Sequence, residues 1–253
     1  MQTLSPNLKR CLAVSAGVLL SNWALATLPT KPSSIDLKND IASATPSRQS
    51  FEPLFHRWEE RYGARVVPAL LEISRDARAS DPERYIGIMG IARLGGKEAA
   101  PLLVPFLKDR SWMIRAATLR ALSALNKLET AASVLPLLRD PALVVRMEAV
   151  STTELLKPVG AASALVDTLF SEANYREGKA LWVPQKALAA LESLHATEVA
   201  GRLSPLLDHQ DDPEIISQTI HTLEILKGRK LASSLPIRLQ AAEWKRALAS
   251  PTP

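Results

Sequence analysis

The chain has 253 residues, of which 47% are hydrophobic, 23% are charged and only 5% are aromatic. This balance excludes an intrinsically disordered chain, and the small share of aromatic residues favours packed helices over a β-sheet. The formal net charge of +5 is too small, and too dispersed along the chain, to indicate nucleic-acid binding, which needs a clustered basic stripe.

The first 26 residues have the layout of a secretory signal peptide. The basic pair Lys9-Arg10 precedes an apolar run over residues 11–20, and Ala24-Leu25-Ala26 supplies a small-x-small cleavage pattern. We therefore expect cleavage after Ala26 and a periplasmic or secreted protein. The alternative is an uncleaved membrane anchor over residues 11–28, because this stretch carries no charge.

Two short regions follow the signal peptide. Residues 27–50 contain several prolines and many serines and threonines, with almost no periodic apolar pattern, which predicts a flexible linker. Residues 51–63 then predict an N-terminal capping helix, with Leu54, Phe55 and Trp58 on one side and charged residues on the other.

A repeated pair of helices is predicted over residues 64–227. Each unit has an A helix, a turn and a B helix, and the reference positions near the starts of the B helices are Gly87, Arg115, Arg146, Pro184 and Ile216. Small or apolar residues recur three, seven and ten positions after most of these, which places them on one buried stripe of a helix. Because one helical hairpin cannot bury its own apolar face, the pattern predicts an all-α solenoid of about five stacked hairpins.

An insertion inside the predicted array and a segment after it depart from the repeated pattern. The spacing is longest between Arg146 and Pro184, which marks an insertion around residues 171–182. After Gly228, a helix-stop signal, residues 235–248 predict a last amphipathic helix that covers the open end of the array. Residues 228–253 are thus expected to form a C-terminal capping helix and tail.

Asp109 and Asp140 stand six residues before Arg115 and Arg146. An Asp followed by an Ile-Arg or Val-Arg pair resembles the signature of HEAT repeats, including the short PBS-lyase type common in bacteria. The resemblance covers roughly residues 64–227 and implies a right-handed α-α superhelix. It also implies that these Asp and Arg side chains form a hydrogen-bonded ladder along the stack, with both arginines largely buried.

The outer repeats depart from that signature. The first has Asp81 but Gly87 at the reference position, and the fourth and fifth have Pro184 and Ile216 where the arginine would stand. We therefore expect a short ladder, with the outer repeats held together by apolar stacking alone.

No catalytic constellation is found in the sequence. The four histidines lie far apart, and none is in a metal-binding motif. Residues 90–97 only superficially suggest a phosphate loop, and their glycines are better explained as a helix C-cap. The acidic turn at 208–213 favours helix capping over cation binding. We predict a protein that is not an enzyme and that uses no cofactor or metal; the alternative is a subunit of an envelope enzyme or a lyase-like HEAT protein.

A partner-binding groove is the remaining candidate site, because the resemblance implies that B helices line the concave face. Equal offsets on neighbouring B helices produce an acidic row late in the array and apolar residues early in it. We predict that the following residues bind a protein or peptide partner, with a basic segment on the acidic row: Met89, Met147, Glu154, Glu192, Glu224, Tyr175 and Trp182. The alternative is an ordinary solvated face.

Overall fold

The computed structural model describes residues 31–44, 50–209 and 211–250. The predicted signal peptide and the tail at 251–253 lie outside the described residues. The α-helices are α1 Ser34–Ala44, α2 Glu52–Tyr62, α3 Val67–Arg75, α4 Asp81–Leu94, α5 Ala100–Leu103, α6 Trp112–Leu125, α7 Leu143–Leu156, α8 Ala161–Leu169, α9 Trp182–Ser193, α10 Pro213–Lys227 and α11 Ile237–Ala249. None of the helices in these ranges is long and apolar enough to cross a bilayer.

Five helical hairpins stack one after another. Their B helices are α4, α6, α7, α9 and α10, and each contacts the next along the chain. The A helices are α3, α5 with the 3-10 segment Val104–Lys108, the 3-10 helix Leu128–Arg139, α8, and the 3-10 helix Thr197–Asp208. The predicted all-α solenoid is confirmed.

Three of the A helices are tightened into 3-10 geometry where they contain a proline. Pro105, Pro136 and Pro205 stand within the three 3-10 segments. A proline has no backbone N–H to donate to the carbonyl four residues earlier, so the α-helical hydrogen-bond pattern is interrupted there. The B helices are regular α-helices of 12 to 15 residues and form the continuous part of the scaffold.

The core is a single apolar cluster that runs the length of the stack, built from the predicted stripe positions of both helices in each hairpin. The first hairpin is closely packed around Gly87. A Cβ added at Gly87 would lie 2.4 Å from Ser74 Oγ and 3.1 Å from the Leu70 carbonyl oxygen. Any side chain at this reference position would therefore push α3 and α4 apart, which explains why the first repeat has glycine there.

The predicted flexible linker does not hold for residues 34–44, which form α1. Leu37 and Ile41 stand four residues apart on one face of α1 and are 0% and 1% exposed. Ser33 caps the helix, since its hydroxyl accepts from Asp36 N at 3.1 Å. Asp40 accepts a 2.8 Å bond from the indole of Trp58 on α2. Two buried apolar residues and a cap therefore suffice for this outer helix. The rest of the predicted linker, residues 27–30 and 45–49, lies outside the described residues.

The insertion and the C-terminal end are both ordered. Tyr175–Arg176 and Lys179–Ala180 form a two-stranded antiparallel hairpin whose turn residues, Glu177 and Gly178, both have positive φ angles. Gly228 ends α10 in the left-handed conformation, as its helix-stop role predicts. After it, α11 packs on the last hairpin through the fully buried Trp244.

Candidate functional site

The predicted acidic row lies on three neighbouring B helices, and its three glutamates are half-buried. Glu192 accepts a 2.6 Å hydrogen bond from the hydroxyl of Thr222 on the next B helix. Ser123, at the same offset in the second repeat, donates from its hydroxyl to the hydroxyl of Thr152 on the next B helix at 2.9 Å. Glu192 therefore has a structural role, since it joins α9 to α10.

Glu154 and Glu224, the other members of the row, make no side-chain hydrogen bond to any part of the chain that the structure describes. Each lies on the half-exposed side of its B helix. Both carboxylates are therefore more available to a partner than that of Glu192.

The remaining predicted contact residues separate into two kinds. Met89 and Met147 are partly buried and pack against the core. Tyr175 donates from its hydroxyl to the Leu169 carbonyl at 2.6 Å and stacks on His209, with ring centroids 5.2 Å apart. Burial raises the pKa of Tyr175 to about 12, so its hydroxyl stays a donor. Trp182 differs from these, because it is 62% exposed and makes no such contact.

Of a row of large apolar side chains on the first turns of the B helices, only Trp182 was predicted from the sequence. Trp112 is 48% exposed, Val144 is 42% exposed, and Tyr85 and Met113 are partly exposed. Tyr85, Met113, Val144 and Trp182 all stand two positions before the reference residues of four successive repeats. The signal was present in the sequence at an offset that the predicted groove did not include.

A cavity of about 420 Å³ opens within this row. Its walls come from α4, α6 and α7, together with the start of α2. Mostly apolar side chains line it: Phe51, Pro82, Tyr85, Ile86, Trp112, Met113, Ala116, Ala117, Arg120 and Val144. We call these residues the apolar groove.

One charged pair stands at the wall of the apolar groove. Arg120 Nη2 donates to Glu148 Oε1 at 2.7 Å, across the gap between α6 and α7. This hydrogen bond raises the pKa of Arg120 above its ordinary value. A partner in the groove would thus meet an apolar floor with one oriented guanidinium and one carboxylate beside it.

Behind this surface, side chains connect successive inter-helix turns in a ladder. Arg115 donates from Nε and Nη2 to the two carboxylate oxygens of Asp140, at 2.7 Å each. Its Nη1 donates to the Asp109 carbonyl at 2.8 Å. Each such arginine therefore ties the turn of its own repeat to the turn of the next.

Arg146 occupies the same place one repeat later and is only 3% exposed. Its Nη1 donates to the Asp140 carbonyl at 2.8 Å. In the next repeat it finds an amide and a carbonyl in place of a carboxylate: Nε bonds to Asn174 Oδ1 at 2.7 Å and Nη2 to the Ala173 carbonyl at 2.8 Å. The predicted ladder residues are thus brought together, with Asn174 as a member that the sequence did not reveal.

The ladder is longer than expected at its N-terminal end. Arg84 pairs with both carboxylate oxygens of Asp109 and donates from Nε to the Ser74 carbonyl at 3.0 Å. The first repeat is therefore not held by apolar stacking alone. Arg84 lies one helical turn before Gly87 on α4. It therefore reaches the same inter-helix loop from a different point on the B helix.

The counterpart of Asp109 and Asp140 in the first repeat is Asp76, and not Asp81 as the spacing suggested. All three end an A helix and accept a 2.9 Å bond from the backbone N–H two residues later. Lys38 of α1 pairs with Asp76 at 2.6 Å, which extends the ladder into the N-terminal cap. Asp81 instead begins α4 and accepts from the Ser111 hydroxyl at 2.6 Å.

At the C-terminal end a backbone group replaces the arginine. Asp212 accepts from Ala180 N at 2.7 Å and caps α10 through Ile215 N at 3.2 Å. The hairpin of the insertion therefore supplies the inter-repeat bond that Pro184 and Ile216 cannot make. The predicted capping role of this acidic turn is confirmed.

Comparison with known proteins agrees with this architecture. Residues 67–154 match the family model of HEAT repeats. They span the first three hairpins and include the Arg115–Asp140 pair. Residues 67–154 of the chain are HEAT repeats.

Other comparisons add less to this assignment. The sequence matches none of the curated proteins with which it was compared. Among solved structures, the HEAT-repeat chain is similar to the complex of CpcE and CpcF of phycocyanin lyase from Nostoc sp. PCC7120. The two share 16% sequence identity with a TM-score of 0.33, over 88% of this chain and 97% of that chain. A likeness of this degree carries no conclusion about function.

The electrostatic state of the HEAT ladder changes along the stack. Burial alone would raise the pKa of Asp109, but hydrogen bonds from Arg84 and from the Ser111 backbone together hold it below the ordinary value. The bond to Asp140 raises the pKa of Arg115. Burial lowers the pKa of Arg146, although Asp140 acts in the opposite direction. The arginines of the first two repeats are thus paired with carboxylates, whereas Arg146 of the third repeat is paired with neutral acceptors in the next repeat.

Proposed function

We propose that this HEAT-repeat chain is an exported scaffold that binds a protein partner along the exposed faces of its B helices and has no catalysis of its own. The observation that carries the proposal is the apolar groove, an open cavity of about 420 Å³ formed jointly by three consecutive repeats. A groove that several repeats build together fits an extended segment better than a compact small molecule.

Exposed aromatic and apolar side chains support binding at this surface. Trp112 and Val144 keep 48% and 42% of their surface in solvent at the edge of an apolar cavity. Tryptophan at the centre of a contact surface contributes more binding energy than most residues, and covering it removes apolar area from water. A partner with two or three apolar side chains along an extended segment would satisfy the groove.

The acidic side chains at one end of the surface suggest the orientation in which the partner binds. Trp182 continues the apolar row toward the C-terminus, where Glu154 and Glu224 stand without side-chain partners in the described ranges. We propose that the apolar part of the partner lies over α4 to α7 and that a basic part follows over α7 to α10. Complementary charge at the edge of an interface mainly speeds association and selects the partner.

Site-specific cross-linking tests the groove directly. A photo-reactive residue at Met113 should capture one partner from envelope extract, whereas the same probe at Val159, which is 99% exposed outside the groove, should not. Trp112→Ser should abolish the capture from Met113, and Val159→Ser is the matched control. Equal capture from both positions, or capture that survives Trp112→Ser, contradicts the groove.

The acidic row is tested with Glu192 left intact, because that side chain has a structural bond. The double variant Glu154→Lys and Glu224→Lys should fold normally and bind the captured partner several-fold more weakly, with a smaller dependence on salt. Unchanged binding would mean that these glutamates belong to an ordinary solvated face and do not contact the partner.

Export is a separate part of the proposal and rests on the basic pair, the apolar run and Ala24-Leu25-Ala26. N-terminal sequencing of the natural protein should begin at Thr27. A protein that keeps Met1 and sediments with membranes would instead be anchored through residues 11–28.

A further inference from the structure

The C-terminal end of the array carries most of the net charge of the protein. Residues 227–239, which we call the basic end segment, contain Lys227, Arg229, Lys230 and Arg238, and no Asp or Glu occurs from residue 225 to 242. The whole chain has a formal net charge of +5, so four of these charges are concentrated here. The positive charge is therefore not evenly dispersed, contrary to the expectation from composition.

These cations are exposed and largely uncommitted. All four side chains lie on the surface. In the part of the chain that the structure describes, Lys227, Lys230 and Arg238 take part in no ion pair or side-chain hydrogen bond. Arg229 differs, since its guanidinium carbon lies 5.9 Å from the ring centroid of Trp244. By contrast, Lys245 and Arg246 further along α11 are paired with Asp208 and Glu243.

Two exposed leucines stand among the cations. Leu235 and Leu239 are 39% and 52% exposed. Leu235 precedes α11, and Leu239 lies in its first turn, on the side away from the buried Ala241 and Trp244. The Gln240 side chain donates to the Leu235 carbonyl at 2.6 Å, which holds the loop against that turn. The segment therefore presents a fixed surface with apolar side chains between positive ones.

We propose that the basic end segment binds the surface of an anionic phospholipid membrane. Lysine and arginine are attracted to the phosphate headgroups, while leucines on the same surface enter the boundary between headgroups and acyl chains. A nucleic acid would use the charges but would leave the leucines without a role. The contact docks the array by its C-terminal end and leaves the apolar groove, on α2 to α7, free.

Vesicle sedimentation of the full chain tests the proposal. Vesicles of phosphatidylcholine alone are compared with vesicles that also contain about 30% phosphatidylglycerol, at roughly 50 mM and 500 mM salt. The expected result is binding to the anionic vesicles at low salt and release at high salt. The apolar N-terminal run and the basic pair Lys9-Arg10 are present in every variant, so a difference between variants comes from the substituted residues alone.

Matched variants assign the binding to the segment. The triple variant Lys227→Gln, Lys230→Gln, Arg238→Gln leaves Arg229 on Trp244 and should lower the partition coefficient about a hundredfold, since each cation near an anionic surface contributes roughly fivefold. The control Lys108→Gln, Arg176→Gln, Lys179→Gln removes the same charge from exposed positions elsewhere and should bind like wild type. Circular dichroism melting confirms that each variant is folded.

A second variant separates lipid from other polyanions. Leu235→Ser with Leu239→Ser keeps every charge and should weaken vesicle binding clearly while leaving any retention on a DNA duplex unchanged. The proposal is overturned if the protein ignores anionic vesicles, if it binds DNA but not lipid, if the leucines make no difference, or if the triple variant and its control lose binding alike.

Discussion

The second and third repeats place an arginine at the same point of the stack and satisfy it by different means. Arg115 meets the carboxylate of Asp140 through two 2.7 Å bonds, whereas Arg146 meets the amide oxygen of Asn174 and a backbone carbonyl. The pKa of Arg115 is raised and that of Arg146 is lowered. The comparison teaches that this position requires a set of well-placed acceptors, and that an opposite charge is one way among others to supply them.

Removal of the buried guanidinium should have the largest effect. Arg146→Ala leaves the acceptors at Asp140, Pro141, Asn174 and Ala173 without their donor, and should lower the free energy of unfolding by about 3–5 kcal/mol. For a domain of this size that corresponds to a fall in Tm of roughly 10 °C. Arg139→Ala, whose side chain is 77% exposed, is the control and should melt like wild type.

Asp140→Asn should come next. The substitution turns one acceptor of Arg115 into an amide donor that faces the guanidinium, so one of the two 2.7 Å bonds is lost. We expect a loss of about 2–3 kcal/mol in urea unfolding. Asp167→Asn, which affects the exposed pair with Arg202, should cost less than about 1 kcal/mol. Equal losses of unfolding free energy for both variants would show that the buried pair stabilises the fold no more than the exposed pair does.

The reverse exchange, Asn174→Asp, should destabilise rather than stabilise. The amide Nδ2 of Asn174 donates to the Thr168 carbonyl at 2.9 Å, and a carboxylate would set oxygen against oxygen there. Attraction to Arg146 offsets part of this cost, so we expect a net loss of about 1 kcal/mol. A higher Tm for this variant would mean that a charge pair with Arg146 stabilises the fold more than the bond from residue 174 to the Thr168 carbonyl does.

Acid should weaken the Arg84–Asp109 link before the Arg146–Asn174 link. The folded-state pKa of Asp109 lies below its ordinary value of 3.8. Its contribution to stability is therefore present above that value and lost as pH falls through the lower folded pKa. The Arg146–Asn174 link has no such carboxylate. Hydrogen exchange at pH values stepped below 4 should show α4 and α6 lose protection first; simultaneous loss along the whole array contradicts the difference.

The repeats could be predicted because their signal is periodic. Apolar residues at fixed offsets in five units indicate stacked hairpins whatever the details of each contact. The helix α1 was missed because only Leu37 and Ile41 mark its buried face, while Ile35 on the same helix is 69% exposed. A two-residue pattern within a proline- and serine-containing stretch carries too little periodicity to distinguish a helix from a linker.

The ladder and the groove were predicted only in part, for a geometrical reason. Arg84 and Asp76 occupy the places of the signature residues from other sequence positions, because a long side chain can reach one turn from several points on a helix. Asn174 was hidden because it lies within the insertion, outside the repeated pattern. The apolar row at Tyr85 and Val144 precedes the reference residues, so offsets counted only forward did not include it.

The direction of the ladder has a consequence for how the chain is made. Arg84 and Arg115 each bind an aspartate 25 residues later, and Arg146 binds an asparagine 28 residues later. During synthesis every arginine therefore leaves the ribosome well before its partner. A nascent array that ends after any of these repeats displays an unpaired guanidinium at its growing edge. We expect such a charged edge to stay hydrated and to resist association with other chains until the following turn is synthesised and pairs with it.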